Sequence, residues 1–125
     1  MTDLDAQLLA VLKIGKDVSI RGKGESLKDA LKRTNYVELR ARFGSNDLRP
    51  LITANPSLIE EWIAYSEDKR TSSGWYIKDC IIGQVSKNVP EQKFSTTEAA
   101  IAEFVMRELD FWAALRECPT HIDLK

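Results

Sequence analysis

Histidine and cysteine, which carry much of the known nucleophilic and metal chemistry, are scarce in this sequence. Among 125 residues there are one histidine, His121, and two cysteines, Cys80 and Cys118. A serine or cysteine nucleophile needs a base beside it, and a structural zinc site needs about four ligands. Cys118 and His121 form one Cys-x-x-His fragment with no second pair of ligands nearby. The sequence therefore predicts no catalytic residue, no metal site and no cofactor.

Long hydrophobic runs are also missing. No apolar stretch approaches the roughly 20 residues of a bilayer-spanning helix, and the acidic start MTDLDAQLL lacks the basic region of a signal peptide. We therefore expect a cytoplasmic protein without a membrane partner, with Cys80 and Cys118 as reduced thiols. The apolar fraction of 43% and the mixed charged fraction of 30% are typical of one globular domain over residues 1–125.

Neither sign of charge dominates, since the net charge is −1 and the isoelectric point is about 5.9. Residues 1–55 carry a net charge of +3, whereas residues 56–125 carry −4. The basic segment 21–49 leaves open a nucleic-acid-binding or regulatory module. Only Tyr36 and Phe43 supply aromatic rings there, fewer than a nucleic-acid surface would favour, so nucleic acid is not the partner we expect.

Helical periodicity is clear in the first half of the chain. Leu4, Leu8 and Leu12 predict a first helix, which we expect to stop at Gly15. Ser26 is a predicted N-cap for a helix that continues to about Gly44. The apolar positions between residues 59 and 66, which include Trp62, indicate another helix with its apolar face in the core.

An α+β fold is predicted because strand patterns follow these helices. Residues 74–86 read as a hairpin with its turn at Lys78-Asp79, and a third strand is expected near residues 92–94. Ser95 and Glu98 have the spacing of a capping box. They predict the start of a long C-terminal helix over residues 96–116, which Pro119 would end. Several helices should then pack on one face of the small antiparallel sheet.

Paired carboxylates are the one feature that would suit an enzyme. The candidate pairs for such a mechanism are Glu60 with Glu61, Glu67 with Asp68, and Glu103 with Glu108. Such pairs are common on solvated helices, and nothing in the pattern indicates burial. We therefore expect no enzymatic activity and rank catalysis behind binding.

The most distinctive stretch is E-W-I-A-Y-S-E-D-K-R-T-S-S-G-W-Y-I, at residues 61–77. The order W-x-x-Y-S-E-D-K-R-x-S-S-G-W-Y, a hairpin, and then S-T-T-E-A-A-I-A-E-F before a long helix resembles small bacterial immunity proteins of polymorphic toxins, including the contact-dependent inhibition type. The resemblance covers residues 58–110. It implies a protein-binding inhibitor without catalysis, whose partner is a cognate bacterial toxin domain.

Within this stretch a partner-binding surface is expected at Glu67, Asp68, Arg70 and Tyr76. Side chains alternate along a strand, so Tyr76 is exposed beside Arg70 if Trp75 and Ile77 point inward. Tyrosine and arginine are the residues in which interfaces concentrate binding energy. Glu67 and Asp68 would add charge complementarity to a basic toxin. The sequence does not indicate an oligomeric state or a role for either cysteine.

Overall fold

The computed structural model of the protein describes residues 3–18, 26–68, 74–84 and 90–121, and their side chains except those of residue 68 and residues 114–121. The predicted α+β fold is confirmed, since helices pack against a small antiparallel sheet. In chain order the elements are α1 Asp3–Leu12, α2 Ile14–Val18, α3 Leu27–Arg33, α4 Tyr36–Leu39, a 3-10 turn Arg40–Arg42, α5 Ser45–Ala54, α6 Ser57–Asp68, β1 Trp75–Lys78, β2 Ile81–Gln84, β3 Gln92–Lys93 and α7 Thr97–His121.

The described strands form one sheet in the order β1-β2-β3, with both pairs antiparallel. Trp75 faces Gln84 across the first pair, and Ile81 faces Lys93 across the second. The hairpin and the third strand thus occur where the sequence predicted them, although residues 85–86 of the expected hairpin lie outside the described residues.

The hairpin turn lies one residue later than predicted, at Asp79-Cys80 instead of Lys78-Asp79. Asp79 has a φ of 56°, in the left-handed region. Aspartate adopts the left-handed conformation at lower cost than lysine does, so the first residue of the turn is Asp79 and not Lys78. The shift fixes which side chains of β2 face outward.

Helix α7 is the centre of the molecule. It contacts α3, α5, α6, β1 and β2, so it lies across the sheet as the sequence suggested. Its apolar face is almost fully removed from solvent: the buried side chains are Ala100, Ile101, Ala102, Phe104, Val105 and Leu109. Burial of each large apolar side chain of this kind contributes about 1.5–3 kcal/mol to folding, so this face anchors the other elements.

Both predicted ends of α7 need correction. The amide of Ala99 donates to the Thr96 hydroxyl at 3.1 Å, so Thr96, not Ser95, is the N-cap. Both serine and threonine are favoured N-cap residues, so the sequence pattern did not distinguish Ser95 from Thr96. At its other end, the helix continues to His121 instead of stopping before Pro119. A proline lacks the amide donor and its ring crowds the carbonyl four residues earlier, which kinks or breaks a helix but does not fix its last residue.

The prediction that Gly15 ends the first helix is wrong. Gly15 lies inside α2, against the ring of Trp62. A Cβ atom on Gly15 would approach the indole carbons to 2.7–3.0 Å, which is too close. The Trp62 indole nitrogen donates to the Leu12 carbonyl at 2.8 Å, and the whole side chain is buried. This bond satisfies a carbonyl at the C-terminal end of α1, and the absent side chain lets α2 lie against α6.

The single helix predicted from Ser26 to about Gly44 is broken in the middle. Ser26 does cap α3, since its hydroxyl accepts from the Asp29 amide at 3.1 Å. Asn35 then adopts a left-handed φ of 57°, which ends the first segment before α4 begins. Asparagine is one of the few residues that take this conformation at low cost, and periodicity alone does not show it.

Exchanging Thr96 for alanine tests the corrected cap. Thr96→Ala should lower the free energy of unfolding by about 1 kcal/mol, because the Ala99 amide loses its acceptor. Ser95→Ala is the matched control and should change stability by no more than a few tenths of that value. Urea unfolding of both variants measures the difference. An equal or reversed effect would contradict the assignment of Thr96 as the cap.

The packing role of Gly15 makes a second prediction. Gly15→Ala should destabilise the protein by about 1–3 kcal/mol, because a methyl group would displace a buried ring. Without that clash, alanine would stabilise a helix interior relative to glycine by up to about 1 kcal/mol. Gly44→Ala is the control, since nothing lies within 4 Å of a Cβ built there. Thermal unfolding that ranks Gly15→Ala as no worse than Gly44→Ala would refute the close approach of Trp62.

Candidate functional site

The strand β1 presents its side chains to two different environments. Ile77 is buried and Trp75 is partly buried against the core. Tyr76 and Lys78 point to the opposite face of the sheet, because side chains alternate along a strand. This outer face consists of Tyr76 and Lys78 on β1, Ile81 and Gly83 on β2, and Glu91 and Lys93 at β3. We call it the outer sheet face.

Tyr76 lies across its cross-strand partner Gly83 instead of standing upright in solvent. A Cβ atom on Gly83 would meet ring carbons of Tyr76 at 2.6 and 2.9 Å, so the ring covers the bare backbone of β2. The Tyr76 hydroxyl reaches past β2 and donates to the carboxylate of Glu91. The glycine, the ring and the carboxylate together hold an aromatic side chain flat on the surface.

The hydrogen bond to Glu91 has a measurable electrostatic effect. It raises the pKa of Tyr76 above its usual value, with smaller contributions from desolvation and from the negative charge of Glu91. Tyr76 is neutral at physiological pH, as tyrosines generally are, and the raised pKa keeps its hydroxyl a donor to a more alkaline pH than in a free tyrosine. Tyr76 itself was expected at the site, but Gly83 and Glu91 were not identified from the sequence, because their proximity depends on the strand register.

The free edge of β1 is closed by side chains from two helices. The Trp75 amide donates to Oε1 of Glu108 at 2.7 Å, and the Ile77 amide donates to the Ser66 hydroxyl at 3.1 Å. Exposed strand edges are templates for pairing with another chain. These two amides already have acceptors, so they are not free to pair with another strand. On the outer sheet face, in contrast, Lys78, Glu91 and Lys93 are exposed to solvent.

Glu108 is fully buried, which the sequence did not lead us to expect. Its Oε2 accepts from the Tyr65 hydroxyl at 2.7 Å and from the Trp112 indole at 2.9 Å. Burial and the neighbouring carboxylate raise the pKa of Tyr65 far above its usual value. Glu108 lies one helical turn from both Phe104 and Trp112, so its place on the apolar stripe of α7 was the signal that could have revealed it.

Glu103 binds Arg107 at 2.8 Å one turn along α7, whereas the Glu108 side chain lies in the core. The Arg107 guanidinium also lies over the Trp75 ring, 5.2 Å from its centroid, and donates to Gln92 at 2.8 Å. These contacts fasten β1 and β3 to α7. Both acidic residues serve to position the sheet.

The other predicted site residues belong to the end of α6. Glu67 is exposed in the last turn of that helix, and Asp68 is its final residue, although its side chain is not described. Arg70 lies outside the described residues, so its predicted position beside Tyr76 stays a prediction. Ser66 holds this helix end against β1, whereas Tyr76 leans the other way, toward Glu91. Among the described side chains, the structure thus groups Tyr76 with Glu91 and not with Glu67.

Part of the basic segment 21–49 is engaged in intramolecular ion pairs at the protein surface. Arg33 pairs with Asp17 at 3.2 Å, and Arg40 pairs with Asp110 at 2.8 Å. The Tyr36 hydroxyl donates to the same Asp110 at 2.6 Å, and burial with this bond raises the pKa of Tyr36 well above normal. Arg40 therefore holds the region around α4 on α7, and these two arginines are engaged in internal ion pairs.

The described surface has clefts whose linings carry charges of both signs. One of about 370 Å³ lies between α2 and the start of α6, where Lys13 and Lys16 face Asp17 and Glu61. Within the same residues, no group of three or more histidine, cysteine or acidic side chains is arranged to hold a metal ion. None of the described helices combines the length and the apolar composition that crossing a bilayer requires.

Comparison with known proteins adds no assignment, since no protein-family model, curated protein or solved structure matches this chain.

The tyrosines supply a prediction from their raised pKa values. The chain has three tyrosines, and Tyr36, Tyr65 and Tyr76 each have a folded-state pKa above that of an unfolded tyrosine, which is about 10. A group of this kind contributes stability that is complete below the unfolded pKa and is lost as the pH rises above it. The free energy of unfolding should therefore fall above about pH 10, by up to about 1.4 kcal/mol per pH unit for each tyrosine kept neutral.

Ultraviolet absorbance of tyrosinate, followed together with circular dichroism, measures this effect. In the folded protein Tyr76 should ionise first, and Tyr36 and Tyr65 should ionise only as the protein unfolds. The chain unfolded in urea is the control and should titrate all three near pH 10. Ionisation of all three tyrosines near pH 10 with a native spectrum would show that the burial of Tyr36 and Tyr65 is wrong.

Proposed function

We propose that this chain is a protein-binding inhibitor: a cytoplasmic immunity protein that neutralises a cognate bacterial toxin domain by tight non-covalent binding. The observation that carries the proposal is the fixed aromatic ring of Tyr76 on a sheet face where Lys78 and Lys93 are exposed. Its proposed contact residues are Tyr76 on the sheet and Glu67, Asp68 and Arg70 at the end of α6. The proposal requires no cofactor, no metal and no catalysis.

The fixed ring supports binding for a thermodynamic reason. Ordering a free side chain at an interface costs about 0.5–1.5 kcal/mol, and Tyr76 is already ordered by Gly83 and Glu91. Tyrosine is also among the residues that dominate interface energies when they are truncated to alanine. A preformed aromatic contact therefore contributes more of its burial energy to affinity than a mobile one would.

The acidic end of α6 supports the choice of a basic partner. Glu67 is exposed next to Ser66, which holds the helix end against β1. Asp68 follows it directly. Toxins that cut nucleic acid have basic clefts, and opposite charge mainly accelerates association and fixes orientation. The alternative, a nucleic-acid-binding module in segment 21–49, is weakened because Arg33 and Arg40 form internal ion pairs.

The proposal predicts that the neighbouring gene encodes a large secreted protein with a toxic C-terminal domain, and co-expression with that domain tests it. The chain should protect cells from that domain and should co-purify with it. Tyr76→Ala should weaken the complex by about 2 kcal/mol, or roughly 30-fold, as expected for a central aromatic contact. Val37→Ala is the matched control, since Val37 is an exposed apolar side chain on α4, 50% accessible, and its loss should leave affinity unchanged.

Further variants separate the two parts of the surface. The Glu67→Lys, Asp68→Lys double variant should chiefly slow association, and Arg70→Ala tests the remaining predicted contact. Each variant is first shown to be folded by circular dichroism. Full protection and unchanged affinity in all of these folded variants would exclude this surface, and no protection by the unaltered chain would exclude the immunity function.

A further inference from the structure

A row of three side chains crosses the outer sheet face beside Tyr76. The register pairs Lys78 with Ile81 and Ile81 with Lys93, so these residues lie side by side on adjacent strands. They share the face of Tyr76 because residues two apart on a strand point the same way. With strands spaced at about 4.8 Å, the backbone positions of the two lysines are about 10 Å apart. Ile81 thus lies between two cationic side chains.

Both lysines are available to a ligand within the described part of the structure. Lys78 and Lys93 are exposed, and neither makes an ion pair or a side-chain hydrogen bond with a described residue. Lysines 13 and 16, in contrast, line a cleft together with two acidic side chains. The charges at Lys78 and Lys93 are therefore not compensated by an ion pair within this region.

The acidic groups near this row do not neutralise the positive charge of its two lysines. Glu91 accepts the Tyr76 hydroxyl and lies in the neighbouring row of the sheet. Asp79 occupies the hairpin tip in a left-handed backbone conformation. The outer sheet face itself carries two cations, Lys78 and Lys93, and one carboxylate, Glu91, which already accepts a hydrogen bond. The face combines an apolar centre, formed by Ile81 and the Tyr76 ring, with a positive border.

We propose that the outer sheet face binds an acidic–apolar protein segment, in which an apolar side chain rests on Ile81 and Tyr76 and flanking carboxylates pair with Lys78 and Lys93. This inference rests on the proposed function, since it describes the part of the partner that meets the sheet. It differs from the expectation drawn from Glu67 and Asp68, which concerns a basic part of the same partner. The surface would then present charges of opposite sign on its two sides.

A titration that does not need the toxin tests this inference. The isotope-labelled full chain is mixed with a synthetic capped peptide in which glutamates flank a leucine, and backbone amide shifts are followed by NMR. The matched probe has lysines in place of the glutamates. Amides of the outer sheet face, including Tyr76, Ile81 and Lys93, should shift with the acidic peptide and not with the basic one. Added salt should weaken the response, because exposed charge pairs are screened.

Variants of the lysines make the test specific. Lys78→Ala with Lys93→Ala should weaken binding of the acidic peptide by about threefold to tenfold, the range expected for two exposed charge pairs. Lys13→Ala with Lys16→Ala removes the same charge elsewhere and should leave binding unchanged. An equal response to both peptides, no response to the acidic one, or undiminished binding by the Lys78, Lys93 variant would overturn the inference. These outcomes are independent of toxin protection, whose failure would remove only the proposed function.

Discussion

The buried carboxylate of Glu108 is the interaction on which the candidate surface depends. It accepts from the Tyr65 hydroxyl of α6, from the Trp75 amide of β1 and from the Trp112 indole of α7 itself. Removing a carboxylate from water costs several kcal/mol unless hydrogen bonds replace the lost hydration. The arrangement is therefore stable only while all three elements keep their places. One acidic side chain thereby fixes the sheet relative to the two helices beneath it.

The orientation of the outer sheet face follows from this anchorage. With Trp75 and Ile77 bound through their amides to Glu108 and Ser66, the inner face and the edge of β1 are both occupied. The remaining side chains of the strand, Tyr76 and Lys78, are left on the open face. Gly83 then decides the conformation of the tyrosine, because any larger residue would lift the ring from β2. Position and conformation of the ring thus have separate structural causes.

Local patterns predicted the elements well but not the contacts between them. Alternation and turn residues located the hairpin and the third strand, and helical spacing placed Trp62 in the core, where the structure has it buried. Glu108 and Gly15 were misread because burial of a charged residue or close approach to a glycine depends on a partner distant in sequence: Tyr65 for the first and Trp62 for the second. Asn35 was missed because a left-handed residue interrupts a helix without changing its apolar period.

In the candidate surface, too, local features were predictable from the sequence and contacts between strands were not. Exposure of Tyr76 follows from the alternation of β1, which the sequence contains, whereas its contact with Glu91 follows from the pairing of β2 with β3, which it does not specify. The pairing of the strands also determines where positive charge lies on the outer sheet face, since Lys78 and Lys93 become neighbours of Ile81 only in this register. A shift by one residue would turn Ile81 inward and both lysines away from it. The turn at Asp79-Cys80 therefore determines both the shape of the outer sheet face and which side chains lie on it. A partner that contacts both the Tyr76 ring and the two lysines would be selective for this register alone.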